Sequence, residues 1–460
     1  MMSRPRSVLT RLRVLPRNPA IPSTRRCLSA TPTPAYDGVY KELTAMKLQK
    51  PWLRALKERN AGLADPKKPA PPQDLAPKRM KDSYHSLVHP PAPLYPTPPT
   101  NPRQILPLSR DEWLVDTYVN SSGLLRLGTL FQDLDALAGV ISYKHAGFGP
   151  TIVTAAVDRI AIINPLEEWC DLQLSGLVSY VGRSSMEISL EARRVGKDGK
   201  VVEGHEGLLL TCAFTMVARD PTTNKAAQVP PLILETEEEK AIFQRGELYK
   251  TAKKGLAMTD LSKQTPNDEE SDLIHQLWME QGKYKDPQSA VQKPDTTIYM
   301  SESTINSTSI MQPQYRNRHS FMIFGGYLMK QTMELAFCCC SAFTHTRPRF
   351  LSLDPSTFLA PVPVGSILYL DATVAYTERG SNEAGTRVQV RVESKVKDVA
   401  HGKICDTGVF NYTFYVDKKL DVMPRTYTEF IKYVDARRRS QQQKELGIVT
   451  DDGTASRVTE

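Results

Sequence analysis

The chain has no apolar run approaching the roughly 18 residues that cross a bilayer. Even Leu208 to Val217 is broken by Thr211 and Cys212 and is followed by Arg219, so no membrane span is expected. Also missing are a G-x-S-x-G nucleophile elbow, a phosphate-binding P-loop and an H-E-x-x-H pair, which removes serine hydrolases of the elbow type, P-loop NTPases and zincins. The seven cysteines include no pair at metal-ligand spacing. Three of them, Cys338, Cys339 and Cys340, are adjacent and cannot bridge one another. Neither a disulfide framework nor a metal site is expected, no cofactor is implied, and a reducing compartment suits the thiols.

Acidic residues are absent from residues 1–36, which hold seven Arg (Arg4, Arg6, Arg11, Arg13, Arg17, Arg25, Arg26) and no Lys. The remaining chain carries 52 basic against 51 acidic groups, so the formal charge of +8 is almost wholly that segment. A near-neutral body has no broad attraction for phosphate backbone, and nucleic-acid binding is not expected. Arg and Ser interleaved with Val8, Leu9, Leu12, Val14 and Leu15 have the composition of an organellar transit peptide. Import into the mitochondrial matrix is the expectation, with cleavage near Arg26 to Thr31.

What remains is ordinary globular material: 460 residues, 40% hydrophobic and 24% charged, enough for two or three packed domains. Thirteen of the 34 prolines fall between Pro66 and Pro107, a stretch that must run extended. Within it Arg79 to Val88 is proline-free and mixes aromatic with polar residues, as a locally docking segment would.

An internal repeat carries the most information. A slide of 198 residues sets Gly128 to Ala138 (GTLFQDLDALA) on Gly326 to Ala336 (GYLMKQTMELA). Leu130, Leu134, Leu137 and Ile141 recur at helical spacing, as do Leu328, Leu335 and Cys339. A slide of 196 sets Leu174 to Tyr180 on Leu370 to Tyr376, and Val388, Val390 and Val392 alternate as strand residues do. Each half therefore reads as one long helix followed by antiparallel strands, an α+β class. The expected organisation is a transit peptide at 1–36, a Pro-rich arm at 37–104, a first domain at 105–221, a charged helical linker at 222–297, a second domain at 298–420 and a tail at 421–460.

The helix openings Asn317 to Gly326 (NRHSFMIFGG) and Gly128 (GTLFQDLDALA), together with RMKDSY at 79–84, YVGRSSMEI at 180–188, FTMVARD at 214–220 and VPPLILETE at 229–237, resemble the hotdog-fold acyl-CoA thioesterases. More narrowly, the chain resembles the mitochondrial members with two hotdog domains. The resemblance implies a helix wrapped by a curved sheet, twice, as an intrachain pseudo-dimer. It also implies hydrolysis of a fatty acyl thioester of coenzyme A, and homo-oligomers, trimers of the chain among them.

On that resemblance Asp135, seven residues after Gly128, is the general base, and Asn317 orients the water or the thioester. Asp133 competes with Asp135, but residues two apart point about 200 degrees from one another on a helix, so one alone faces a given cleft. Asp133 is expected to face solvent or the helix dipole. Gly325 and Gly326 bare the unpaired N–H groups of a helix N-terminus to an oxyanion, or simply make a tight turn. His319 is expected to be a loop side chain shaping the pocket, the alternative being that it is the general base and the helix carboxylate is dispensable.

At the 198 shift Asp135 falls on Met333 and Asn317 on Val119, with Asn120 one place away. One competent site per chain follows, with Asp135 from the first half and Asn317, Gly325 and Gly326 from the second. Glu334 is the residue that a one-place adjustment would bring into the opposite cleft. Leu137, Ile141, Leu335 and Phe337 are candidates for an acyl channel, and Arg183, Arg193, Arg316 and Arg318 for coenzyme A phosphates. A different class remains open at this stage, a non-catalytic acyl-CoA-binding or assembly subunit, which release of free thiol from acyl-CoAs would separate from an enzyme.

Overall fold

The structure is a computed structural model describing residues 52–60, 75–86, 106–166, 168–221, 223–258, 261, 264–286, 290–317, 321–379 and 385–445, all within one compact unit, Ala35–Glu460. The segment 1–36, most of the proline-rich arm, Arg318, His319 and the end of the tail lie outside the described residues. In chain order the first elements are α1 (Trp52–Asn60), β1 (Lys78–Arg79), α2 (Met80–Ser83), β2 (His85–Ser86), α3 (Glu112–Tyr118) and α4 (Leu127–Ala146). Then come β3 (Thr151–Ile162), β4 (Asp171–Val181), β5 (Ser185–Val195), β6 (Leu208–Arg219), β7 (Leu232–Ile233), α5 (Glu237–Met258) and α6 (Asp268–Lys285). The rest are β8 (Thr297–Tyr299), β9 (Ile305–Ile310), α7 (Gly325–Thr344), β10 (Arg349–Leu353), β11 (Ser356–Thr357), β12 (Ile367–Arg379), β13 (Thr386–Lys397), β14 (Ile404–Val416), β15 (Asp421–Met423) and α8 (Tyr427–Glu445).

Eleven strands form one large antiparallel sheet, in the order β2-β4-β5-β6-β3-β10-β14-β13-β12-β9 with β11 also on β3. The two halves join where β3 meets β10, with Ser352 opposite Ala161 and Leu353 opposite Ile160. Joining them there removes the free edge each half would otherwise expose. Against the sheet lie α4 and α7, which also pack on each other. A helix with a sheet on one side and a second helix on the other is buried nearly all round, and α4 is: Leu130, Leu134, Leu137 and Ile141 are fully buried together with Phe131 and Ala138, and the polar Gln132, Asp133 and Asp135 are buried as well.

Repetition extends beyond the long helices. In the first half Ser83 Oγ donates to Met80 O at 2.6 Å and accepts from Val178 N at 2.9 Å. In the second, Ser303 Oγ donates to Met300 O at 2.7 Å and accepts from Val374 N at 3.0 Å. Thr236 with Glu239 caps α5 as Thr426 with Glu429 caps α8, each a capping box. Phe243 of α5 lies against Tyr180 and Tyr433 of α8 against Tyr376. The described residues of the charged stretch 222–297 include α5 and α6. Helix α6 opens on a capping box of Asn267 with Glu270, and Glu270 also pairs with Arg438 of α8.

No helix among the described residues is long and apolar enough to cross a membrane. Asp133 departs from expectation. It is fully buried and accepts a short hydrogen bond from the Tyr118 hydroxyl, because α3 and the loop after it close over the face of α4 that the sequence leaves undefined.

Candidate active site at the mouth of helix α7

Helix α7 begins where a hairpin-like loop turns back on itself. Asn317 N donates to Met322 O at 2.7 Å, Phe324 N to Tyr315 O at 2.9 Å, and Tyr315 stacks on Tyr327 at 3.9 Å. Phe324 clusters with Ala136 of α4, and Tyr315 and Tyr327 pack against that pair, so the end of the loop from the second half rests beside the residue that follows Asp135 of the first.

At that point the helices cross very closely. A Cβ on Gly326 would come 2.7 Å from Phe324 Cε1, so the ring would have to shift, and 3.0 Å from both Asp135 Cβ and Gln132 Cα, so the helices would have to part by a few tenths of an ångström. Glycine admits the close approach without that adjustment. Its result is a hydrogen bond from Gly326 N to Asp135 Oδ2 at 2.6 Å. On the other oxygen, Thr154 Oγ1 of β3 donates to Asp135 Oδ1 at 2.8 Å. A buried carboxylate is costly to hold unless donors and dipoles support it, and this one sits at the positive end of a helix with a charge-assisted bond to its N–H.

Asp135, Gly325 and Gly326 thus converge, with Gly325 so placed that an added Cβ would lie 3.2 Å from Asp135 Oδ2. The Gly326 N–H is engaged by the carboxylate, a difference from the expectation that both glycine N–H groups face an incoming carbonyl. Asn317 lies on the adjoining loop, half-buried. His319 falls outside the described residues. Thr154 was missed by sequence reading, since its only local signal is one hydroxyl on a strand at the distance from Asp135 that a helix, a turn and half a strand span.

Nearby, burial first and the Asp135 charge second push the Cys212 thiol up, so it stays protonated. Burial also raises Cys339 to about 12. Neither thiol is activated as a nucleophile. Among the described residues no group of His, Cys, Asp and Glu could hold a metal ion. Of the arginine candidates, Arg193 is taken by Glu191 and Gly204 O at 3.0 Å each, and Arg316 donates to Pro313 O at 2.9 Å. Leu137 and Ile141 are fully buried in the main core, where they pack as core residues do.

The opposite helix mouth differs in each polar component. Asn120 N donates to Leu124 O at 2.8 Å, the bond that Asn317 makes with Met322. Leu124 and Met322 both stand four residues before the shared glycine. Asn120 rather than Val119 is therefore the counterpart of Asn317, the second loop being one residue longer. Its side chain closes its own turn, Oδ1 accepting from Ser122 N and Leu124 N at 2.8 and 3.1 Å. Thr154 stands opposite Met216 and Phe350 opposite Phe414 in matching registers, so Phe350 occupies the place of Thr154. Leu127 stands for Gly325 and Met333 for Asp135. Glu334 lies beside Gly128 and is held by Arg126 at 2.5 Å.

A paired helix-and-sheet architecture with a buried carboxylate at a glycine helix mouth suits water-driven acyl transfer, and comparison with known proteins names the class. No family model matches the chain. It is 34% identical over 377 residues to acyl-coenzyme A thioesterase 9, mitochondrial, of Bos taurus, covering 79% of this chain and 78% of that protein. It is 32% identical over 365 residues to acyl-coenzyme A thioesterase 2, chloroplastic, of Humulus lupulus, covering 78% of each. Among solved structures, an acyl-CoA hydrolase from Staphylococcus aureus bound to butyryl coenzyme A and coenzyme A aligns with 32% of this chain and 91% of that one, at 26% identity and a TM-score of 0.29. The chain belongs to the acyl-coenzyme A thioesterase family, and is a thioester hydrolase.

Proposed function

We propose that the protein hydrolyses fatty acyl-CoA to free acid and coenzyme A in the mitochondrion, at one cleft per chain built from both halves. Asp135 takes a proton from water as that water's oxygen bonds to the thioester carbon. The tetrahedral oxyanion is met at the mouth of α7, where the Gly325 N–H is the donor left once Gly326 has bound the carboxylate. Asn317 orients the water or the carbonyl from the loop. Collapse breaks the C–S bond, and the departing thiolate takes the proton that Asp135 holds. Thr154 keeps the carboxylate turned toward the water, and His319 shapes the pocket wall.

The observation that carries this reading is the 2.6 Å bond between Asp135 and Gly326 N, which unites the base of one half with the helix mouth of the other. The opposite cleft, with Leu127, Met333 and Phe350 at the corresponding positions, lacks base and orienting hydroxyl and is vestigial. Two hotdog modules forming an intrachain pseudo-dimer account for the shared sheet, at about 75–258 and 297–445 once the matching caps are included. Residues 1–36 direct the chain to the matrix, and homo-oligomers form, trimers of the two-module chain among them.

The test is free-thiol release across an acyl-CoA series by the wild type, Asp135→Asn and Asn317→Ala. Loss of at least about 100-fold in both variants, with melting temperature unchanged, is expected from removal of one catalytic group each. Full turnover in Asp135→Asn would sink the mechanism.

A further inference from the structure

Helix α1 has nine residues, too few to stand alone in water. Its place must be set by what it docks on. Trp52 meets Phe321 edge to face, with centroids 5.4 Å apart, and the Arg316 guanidinium lies 6.0 Å from the Trp52 ring. Arg316 and Phe321 stand on the two arms of the loop that carries Asn317. These arms are themselves tied by the Arg316 to Ile323 bridge and the Asn317 to Met322 bond. One indole thus spans both arms of the hairpin, adding an aromatic and a cation–π contact from outside the loop to the backbone bonds and aromatic packing that already hold it.

We propose that Trp52 is a positioning residue for the thioesterase reaction: α1 is a strap whose indole clamps Arg316 and Phe321 and so holds the Asn317 amide at the reacting carbon. The inference rests on the site reading above. A catalytic amide on a loop loses its effect if it drifts by about half an ångström, so support from outside the loop has value that scales with the chemistry rather than with fold stability. The strap lies beyond the 1–36 segment expected to be removed on import and would remain in the mature enzyme.

The experiment uses the full chain and compares Trp52→Ala, Trp52→Phe, Asn317→Ala and the Trp52→Ala/Asn317→Ala double variant. Kinetics give kcat and KM, and hydrogen exchange reads the Asn317 and Phe324 amides. Trp52→Ala is expected to lower kcat about 10-fold and to speed exchange at both amides about 10-fold, while Trp52→Phe stays within about 2-fold of wild type on both. In the Asn317→Ala background the further loss should vanish, because the strap acts through that amide. Unchanged kcat in Trp52→Ala overturns the proposal, as does an equal loss in both backgrounds. If Asn317→Ala alone keeps full turnover, the site reading falls and this role with it, and faster exchange in Trp52→Ala then identifies a clamp without a catalytic purpose.

Discussion

Asp135 and Gly326 are 191 residues apart in sequence and 2.6 Å apart in space, the Gly326 N–H donating to the Asp135 carboxylate. Each residue makes the other's position possible. The glycine lets two helices touch, and the carboxylate answers the exposed N–H of the helix end.

The crossing predicts an asymmetry between two glycines that look equivalent in the repeat. Gly326→Ala forces a Cβ into Phe324, Asp135 and Gln132, whereas at Gly128 the nearest atoms stand off at 3.4 Å, two of them side-chain carbons of Glu334 and Lys330. Gly326→Ala should destabilise the fold by about 1–3 kcal/mol and cut turnover by displacing the carboxylate. Gly128→Ala should lie within about 1 kcal/mol of wild type, since ordinary contacts need little adjustment. Thermal melts with kcat on the same samples make the comparison, and equal effects at the two sites would contradict it.

Two carboxylates on one helix can be told apart by what they disturb. Asp133 accepts from the Tyr118 hydroxyl in the interior of the first half. Asp133→Asn is therefore expected to lower stability by about 1–3 kcal/mol while folded enzyme keeps kcat within about 3-fold. Asp135→Asn should do the reverse. Kinetics normalised to the folded fraction would expose an exchange of these roles.

In the proposed mechanism Thr154 orients the base through its bond to Asp135 Oδ1, so its hydroxyl and not its volume is what turnover should need. Losing a hydrogen bond to a charged group costs about 1.5–3 kcal/mol, or roughly 10- to 100-fold in kcat. Thr154→Val should show this loss, and Thr154→Ser should recover most of it. Parallel activity of the Val and Ser variants would mean the hydroxyl is spectator to the reaction.

Glu334 offers the complementary check on the opposite cleft. It is paired with Arg126 at 2.5 Å, and both side chains are partly exposed, so the bridge contributes little. Glu334→Gln should leave kcat within about 2-fold, measured on the same acyl-CoA panel. A large loss would move the working carboxylate to that side of the molecule.

Acid sensitivity should trace in part to His145 at the end of α4. It is buried, its Nε2 lies 2.8 Å from Pro230 O, and Nδ1 has no partner. Burial foremost, and the charge of Lys78, hold its pKa below the usual value of 6.5. The neutral ring is favoured in the fold, so the unfolded chain binds the proton more readily. This contribution is complete above pH about 6.5 and declines as pH falls toward the lowered native pKa. Melting temperature should therefore drop between about pH 7 and 5, with a shallower slope in His145→Gln. Identical slopes would remove His145 from the account.

Much of the architecture was legible because it is written in local periodicity. Leu130, Leu134, Leu137 and Ile141 mark the buried stripe of α4, and Val388, Val390 and Val392 the inward face of β13, whichever residues lie opposite. The repeat placed Asp135 opposite an apolar counterpart. It misaligned Asn317 by one residue, because a linear slide cannot absorb the extra residue in the second loop. The matching Ser83 and Ser303 turns went unnoticed for a similar reason: their separation in sequence differs from that of the helices, since the connecting segments differ in length.

Composition and spacing by themselves determined the class, two repeats of helix followed by antiparallel strands, and the residue types with chemistry to offer. Tertiary structure alone decided which of two buried aspartates meets the glycine helix, that one glycine N–H is bound to a carboxylate, that Thr154 stands behind it and that Trp52 reaches the loop. The reason is physical. Periodicity is a property of neighbours along the chain, whereas these contacts depend on where two helices cross and how two sheets register, quantities set by packing among residues that no local pattern brings together.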